Sequence, residues 1–179
     1  SMRSLLVLLI LGLALASIAL VVRFGWLARE NPGQPINSAM REALAAKSPQ
    51  WSQAEAAVLA RDYANAHETK SGMRYVIRDP GRGDEMPKKG QWITAHYEGR
   101  LFDGTKFDSS YDRGEGPLNV QIGMGRVIAG WDEAFLTMRR GEKRTLVIPY
   151  WLAYGDKGAG KMIPPKAGLI FHVELIDFR

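Results

Sequence analysis

Alternation between apolar and polar residues runs through much of the chain after Gly72, and it restricts the fold more than any other feature. Between Gln91 and Leu101, one set of alternate residues is mainly apolar and the other mainly polar. Successive side chains of a β-strand point to opposite faces, so this segment predicts a strand buried on one face. The period recurs at 118–122 and 169–175, and an apolar run at 144–149 predicts another strand. The segments together predict an antiparallel sheet.

One short segment has a helical period instead. Trp131, Phe135 and Met138 are spaced i, i+4 and i+7, which places their side chains on one face of a helix between residues 129 and 138. A single short helix against a curved antiparallel sheet makes an α+β domain. The sequence therefore predicts an α+β fold for residues 73–179.

The N-terminal part predicts a membrane segment. Residues 5–22 form an unbroken uncharged run of 18 residues, which is just long enough to cross a bilayer as a helix. Ala14-Leu15-Ala16 is a small-x-small site, so a cleaved secretory signal is the alternative. Because the apolar run continues past that site, we interpret residues 1–26 as a signal-anchor in preference to a signal peptide.

Residues 27–72 are interpreted as a linker with one or two short helices. Asn31–Pro35 contains two prolines and a glycine, a composition that predicts a break after the membrane segment. Ser38–Ala46 is rich in alanine and predicts a first short helix.

A second helix is predicted from Ser52 to about His67. Ser52 and Glu55 have the spacing of a capping box, in which the two side chains satisfy each other's backbone amides. Leu59 and Tyr63 share a face of this helix, but the apolar stripe is thin. A helical spacer packed loosely on the following domain is the favoured interpretation, and a dimerisation helix is the alternative.

Several kinds of chemistry are excluded by composition and spacing. The chain has no cysteine, which excludes disulfides and thiol chemistry. The net charge of +5 is mild and no recognition motif accompanies it, so we expect no nucleic-acid binding. Residues 155–161 have phosphate-loop spacing, but Met162 and two prolines follow where the loop needs a hydroxyl residue and a helix. His67, His96 and His172 lack paired ligand spacing, so neither a metal nor a cofactor is expected.

A set of aromatic and aliphatic residues near the predicted turns remains, and it lies within five short strings. These strings are KFDSS at 106–110, VIAGW at 127–131, AYG at 153–155, IPP at 163–165 and FHVEL at 171–175. In order and spacing they resemble the FKBP family of peptidyl-prolyl cis/trans isomerases. The resemblance covers the 107 residues from 73 to 179.

The resemblance implies a fold, an activity and a site. The family fold has about five or six antiparallel strands wrapped around one short helix, and its rotamase activity is rotation about Xaa-Pro peptide bonds. By the same resemblance, Trp131 would form the floor of an apolar pocket, while the backbone amide of Ile128 and the hydroxyl of Tyr154 would hold substrate carbonyls. Asp108 would line the rim beside Arg113. The implied catalytic set is Tyr97, Phe107, Asp108, Trp131, Tyr154 and Phe171, and the implied substrate-binding set is Leu118, Val127, Ile128 and Ile163.

The expected partners are proline-containing polypeptides. Binding of tacrolimus or rapamycin is also implied. Leu118 stands where the best-known small members carry an aromatic wall residue, so the resemblance implies weaker drug binding here. A non-catalytic binding module or chaperone with the same fold is the rival function. We favour the enzyme because the whole set of pocket residues is present, which a scaffold would not need.

Residues 69–75 look like the junction in bacterial envelope members of the family, which often carry an N-terminal dimerisation region. Together with residues 5–22, this resemblance implies a bacterial cell-envelope location. The domain would be anchored in the inner membrane and face the periplasm, or be exported to the periplasm. A homodimer is left open.

Overall fold

The computed structural model describes residues 50–114 and 116–179. Within these ranges, no helix is long and apolar enough to span a bilayer. The predicted signal-anchor at residues 5–22 and the predicted helix at Ser38–Ala46 lie outside the described residues.

A single antiparallel sheet organises the domain. Its strand order is β1-β2-β6-β7-β3-β4, and β5 also pairs with β3. The strands are β1 (His67–Glu68), β2 (Arg74–Arg82), β3 (Trp92–Leu101), β4 (Lys106–Ser109), β5 (Leu118–Gln121), β6 (Arg140–Ile148) and β7 (Leu169–Phe178).

Within residues 50–114 and 116–179 the sheet has seven strands, in place of the five or six that the resemblance implied. The difference includes β1, a two-residue strand that pairs with β2 through His67 and Tyr75. It was missed because two residues are too few to show a period. The antiparallel sheet itself is as the alternation predicted.

Strand β3 is the centre of the sheet around which the site forms. It pairs with β7 from Ile93 to Leu101 and also with β4 and β5. Ile93, Ala95 and Tyr97 are buried, whereas Trp92 on the other face is exposed. The alternation in the sequence therefore predicted the buried face of β3 correctly.

A short helix, α2 (Ala129–Phe135), packs against the buried face of the sheet. Its apolar residues Trp131 and Phe135 are buried, as is Met138 just after its end. A Cβ at Gly130 would stand 2.5 Å from a side-chain carbon of Ile148 on β6. Glycine is therefore what allows the helix to approach the sheet so closely.

The other face of the sheet is covered by the helix that Ser52 begins. This helix, α1 (Gln53–Asp62), has the predicted capping box between Ser52 and Glu55. It ends five residues before His67, which lies in β1 instead. Leu59 is 2 % exposed and packs with Val147 of β6 and Ile170 of β7.

The prediction that this segment packs only loosely on the domain is therefore wrong for α1. Val147 and Ile170 alternate with residues that face α2, so they lie on the opposite face and need a cover of their own. The sequence carried a signal for this, because residues 146–149 are apolar without alternation, which is typical of a strand covered on both faces. The Leu59 face of α1, which the dimerisation alternative would have used, packs on the chain's own sheet.

Candidate functional site

Trp131 lies at the centre of a group of aromatic rings between α2 and the sheet. Its ring centroid is 4.9 Å from that of Tyr97 and 5.1 Å from that of Phe171, both in edge-on orientations. Phe107 meets Phe171 at 5.5 Å, also edge-on. Edge-to-face pairs contribute about 0.5–1.5 kcal/mol each beyond the burial of their area. The rings therefore hold one another in fixed orientations.

The position of these rings follows from the strand register. Tyr97 on β3 points to the buried face, and its neighbour two residues on, Gly99, lies opposite Phe171 of β7. A Cβ at Gly99 would stand 2.6 Å from Phe107 and 2.7 Å from Phe171. The missing side chain on β3 thus makes the space that the two phenylalanine rings fill.

Asp108 lies beside the aromatic group and is bound by two partners. The Tyr97 hydroxyl donates a hydrogen bond to its carboxylate at 2.8 Å, and the Arg113 guanidinium donates two more at 3.0 and 2.6 Å. Burial opposes the charged form of Asp108, but the bonds from Arg113 and Tyr97 outweigh it and lower its pKa. The carboxylate therefore fixes the Tyr97 ring and stays ionised.

The two tyrosine hydroxyls near Asp108 stay protonated. Burial, followed by the hydrogen bond to Asp108, raises the pKa of Tyr97 to about 12. Burial and then the charge of Asp108 also raise the pKa of Tyr154. Tyr154 is 41 % exposed and lies outside the buried cluster. Both residues are hydrogen-bond donors at neutral pH, and the Tyr154 residue is partly exposed.

The aliphatic site residues complete the wall of the group. Ile163 is buried, and Leu118, Val127 and Ile128 are partly buried against the same cluster. A cavity of about 150 Å³ opens between Tyr97, Leu118 and the residues around them. The cavity has both apolar and polar walls, since Pro117 and Leu118 line it together with Ser110, Arg113 and Asn119.

Two polar donors in this region have no protein acceptor within the part of the chain that the structure describes. One is the indole N–H of Trp131, which is buried. The other is the backbone N–H of Ile128 at the start of α2. Buried or half-buried donors without a partner are rare in folded proteins and call for an explanation.

All ten predicted site residues thus lie in or beside one group. Trp131, Tyr97, Phe171 and Ile163 are buried members, and four more are packed against them. Asp108 joins through its bond to Tyr97. Tyr154 is the most exposed of the ten, and the charges of Asp108 and Arg113 act on its hydroxyl.

Three supporting residues were missed from the sequence. Gly99 was not considered, although a glycine inside a predicted strand is a signal for a close approach. Ser110 was not predicted to have this role, and its buried hydroxyl accepts a hydrogen bond from the Tyr97 amide at 3.0 Å. Asp132 accepts bonds from the amides of Gly123 and Gly125 at 2.7 and 2.8 Å. It thereby fixes the loop that leads to Val127 and Ile128.

An antiparallel sheet packed on a short helix places clustered aromatic rings beside a cavity that also has polar groups in its wall, and ligand sites commonly combine these features. The family model described as FKBP-type peptidyl-prolyl cis-trans isomerase matches residues 83–176. The chain belongs to this family. It is an isomerase of Xaa-Pro peptide bonds.

Similar proteins support this assignment. FK506-binding protein 1A of Aspergillus fumigatus is 50 % identical over 105 residues, which are 59 % of this chain and 93 % of that protein. FK506-binding protein of Neisseria meningitidis serogroup A is 57 % identical over 103 residues, or 56 % of this chain and 93 % of that protein. The crystal structure of AtFKBP13 has a TM-score of 0.59 and 46 % identity, and covers 63 % of this chain and 97 % of that one.

The charge states of the site predict a flat pH profile. The pKa of Asp108 lies below its usual value, that of Tyr97 is about 12, and that of Tyr154 is raised. Between about pH 5 and 9 we therefore expect kcat/KM for an Xaa-Pro peptide to vary by less than about twofold. Exchange NMR on the peptide measures this without a coupling protease. A bell-shaped profile in that range would contradict the absence of proton transfer.

Below about pH 4 the same site should weaken. A carboxylate whose pKa is lowered by folding stabilises the folded state above its unfolded pKa of about 3.9, and this stabilisation is lost as pH falls through the folded-state pKa. We expect Asp108 to release Arg113 and Tyr97 in that range, so that turnover falls there and recovers when the pH is restored.

Proposed function

We propose that rotation of the Xaa-Pro bond takes place in the pocket floored by Trp131. The observation that carries the proposal is the edge-on packing of Tyr97 and Phe171 against Trp131, with Tyr97 also lining a cavity beside Leu118. A proline ring is apolar and flat enough to lie on an indole between aromatic walls. The pocket thus selects proline by shape and by exclusion of water.

Such a pocket needs no acid, base or nucleophile. Peptide rotation has a barrier of about 18–20 kcal/mol because the planar amide is stabilised by resonance. The twisted amide has less charge separation than the planar form, so transfer from water to an apolar site favours it over the ground state. An acceleration of about 10⁴ to 10⁵ requires only about 5.5 to 7 kcal/mol.

We assign the Ile128 amide and the Tyr154 hydroxyl to the substrate backbone. The amide of Ile128 has no acceptor within the described residues, and it precedes Trp131 by three positions. The Tyr154 hydroxyl is protonated and partly exposed. Each is suited to bind a carbonyl oxygen on either side of the proline, which would hold the chain while the bond between them rotates.

Phe107→Ala and Asp108→Val test the pocket. The first removes a wall, and the second removes the acceptor that fixes the Tyr97 ring. We expect each to lower kcat/KM by about tenfold or more, since each tenfold loss is about 1.4 kcal/mol of transition-state stabilisation. The measurement is protease-coupled isomerisation of an Xaa-Pro peptide, with circular dichroism to confirm the sheet.

Asp177→Val is the matched control for Asp108→Val. Asp177 also lies in a strand and also binds an arginine, Arg140, at 2.7 Å, but it is remote from the aromatic group. We expect it to leave kcat/KM unchanged. Wild-type turnover in both Phe107→Ala and Asp108→Val would show that the pocket is elsewhere, and no acceleration by the wild-type chain would favour a binding module.

We propose that tacrolimus competes with the peptide for the same pocket. The proposal rests on the relatives that are named FK506-binding proteins. Leu118 offers less contact area than an aromatic ring, so we expect Leu118→Phe to lower the inhibition constant by about threefold to tenfold. Inhibition that is not competitive with the peptide would place the drug outside the Trp131 pocket.

We also propose that the domain works in a bacterial cell envelope, anchored in the inner membrane by residues 5–22 and facing the periplasm. The apolar run of 18 residues supports this location. In the native host, we expect the chain in the membrane fraction with its full mass. Loss of residues 1–16 would indicate export with a cleaved signal instead, and an intact chain in the cytosol would contradict both forms of the proposal.

A homodimer, if one forms, is proposed to use surfaces other than the Leu59 face of α1. That face is 2 % exposed at Leu59 because it covers the chain's own sheet. We therefore expect Leu59→Ala to leave the association state of the full chain unchanged, as measured by analytical ultracentrifugation.

A further inference from the structure

One loop of the domain carries two of the site residues. It runs from Ala153 to Gly168 and contains Tyr154 and Ile163. Three backbone hydrogen bonds close it on itself, two of them between Ala159 and Ile163, at 2.9 and 3.1 Å, and one from the Lys166 amide to the Gly155 carbonyl at 3.0 Å. The loop is therefore a closed unit, and its position depends on what holds its two ends.

The C-terminal end of the 153–168 loop is held by helix α1. The amide of Gly168 donates a hydrogen bond to the carboxylate of Glu55 at 2.6 Å. Glu55 is 8 % exposed, and its second oxygen accepts bonds from the Ser52 amide and hydroxyl. A Cβ at Gly168 would stand 2.6 Å from Glu55 and 2.7 Å from Trp51. The close approach of α1 to this point therefore requires glycine.

The N-terminal end of the loop is held by the chain between α1 and β2. Trp151 lies two residues before Ala153, and its indole N–H donates to the Ser71 carbonyl at 2.9 Å. Gly72 packs so closely on this indole that a Cβ there would stand 2.9 Å from its ring. The Trp51 ring meets Trp151 edge-on at 5.7 Å. Trp51 thus lies against both ends of the loop.

The same segment also contacts the helix that carries the pocket floor. The Ser71 hydroxyl donates a hydrogen bond to Glu133 of α2 at 2.7 Å. Glu133 is two residues from Trp131. Residues 51–72 therefore contact both ends of the loop with Tyr154 and Ile163, and also contact the helix with Trp131.

We propose that residues 51–72 brace the 153–168 loop over the isomerase site, with Glu55 as the principal positioning residue. The inference rests on the proposed pocket around Trp131. Fixing both ends of a loop before substrate arrives reduces the ordering that binding must supply and holds donors near their reactive geometry. The segment predicted to be a spacer is thus part of the catalytic domain.

Four variants of the full chain test the brace at its C-terminal end. Glu55→Ala removes both the bond to Gly168 and the helix cap, whereas Ser52→Ala weakens the cap alone. Leu59→Ala destabilises the same helix by removing buried contacts and leaves Gly168 untouched. Glu55→Gln keeps one side-chain oxygen for the Gly168 amide. All are assayed on an Xaa-Pro peptide well below their unfolding temperatures, with KM and kcat determined separately.

We expect Glu55→Ala to lower kcat/KM by about threefold to tenfold, mainly through a higher KM. Glu55→Gln should recover most of the loss, and Ser52→Ala and Leu59→Ala should match the wild type. Amide exchange at Lys166 and Gly168 should accelerate in Glu55→Ala and not in Ser52→Ala. An equal loss in Leu59→Ala, or none in Glu55→Ala, would overturn the brace.

Trp151→Phe tests the other end by a smaller change, and it decides the question if Glu55→Ala fails to fold. It removes the N–H to Ser71 and keeps an aromatic ring, so we expect about a twofold to fivefold loss of kcat/KM. Trp92→Phe on the exposed face of β3 is the matched control and should have none. Equal activity in both variants would contradict the brace.

Phe107→Ala in the same series separates the two proposals. If Phe107→Ala loses activity while Glu55→Ala and Trp151→Phe do not, the pocket stands and the brace fails. If Phe107→Ala also keeps wild-type turnover, the proposed pocket itself fails.

Discussion

The contact of the Trp131 indole with the rings of Tyr97 and Phe171 is the interaction on which the site depends. It brings together three elements that are far apart in sequence, since Tyr97 lies on β3, Trp131 on α2 and Phe171 on β7. These rings are also core residues, each no more than 6 % exposed. The same contacts therefore stabilise the fold and shape the pocket, so a pocket mutation must be judged by activity and stability together.

The polar groups beside the aromatic rings hold side chains in position and are not suited to transfer protons at neutral pH. Asp108 stays ionised and Tyr97 and Tyr154 stay protonated at neutral pH, because the pair with Arg113 favours the carboxylate while burial disfavours the tyrosinates. For amide rotation this is sufficient, since the reaction breaks no σ bond and moves no proton. In the proposed mechanism, the energetic contribution comes from removing water and from donors that are already in place.

Coverage of the sheet on both faces gives the domain its second organising feature. Helix α2 covers one face and α1 the other, and β6 and β7 lie between them. The two helices differ in how they approach the sheet. At α2 the approach is made through Gly130 against Ile148, whereas at α1 it is made through Gly168 against Glu55 and Trp51. In both places the absence of a Cβ lets two elements meet. These contacts help to position helix α2 and the 153–168 loop, which carry site residues.

Local patterns in the sequence were sufficient for the antiparallel sheet and for the starts of both described helices, whereas the site residues came from the resemblance of the five strings to a known family. Strand alternation chose the buried face of β3, the i, i+4, i+7 spacing placed Trp131 and Phe135 inward, and the capping box began α1 at Ser52. These features were readable because side-chain direction in a strand or helix depends only on position along it. Tertiary structure alone decided that α1 packs on the sheet, that Glu55 binds Gly168, and that Gly99 makes room for Phe107 and Phe171. Such contacts join residues up to 113 positions apart, and no local period records which distant partner a buried group will meet.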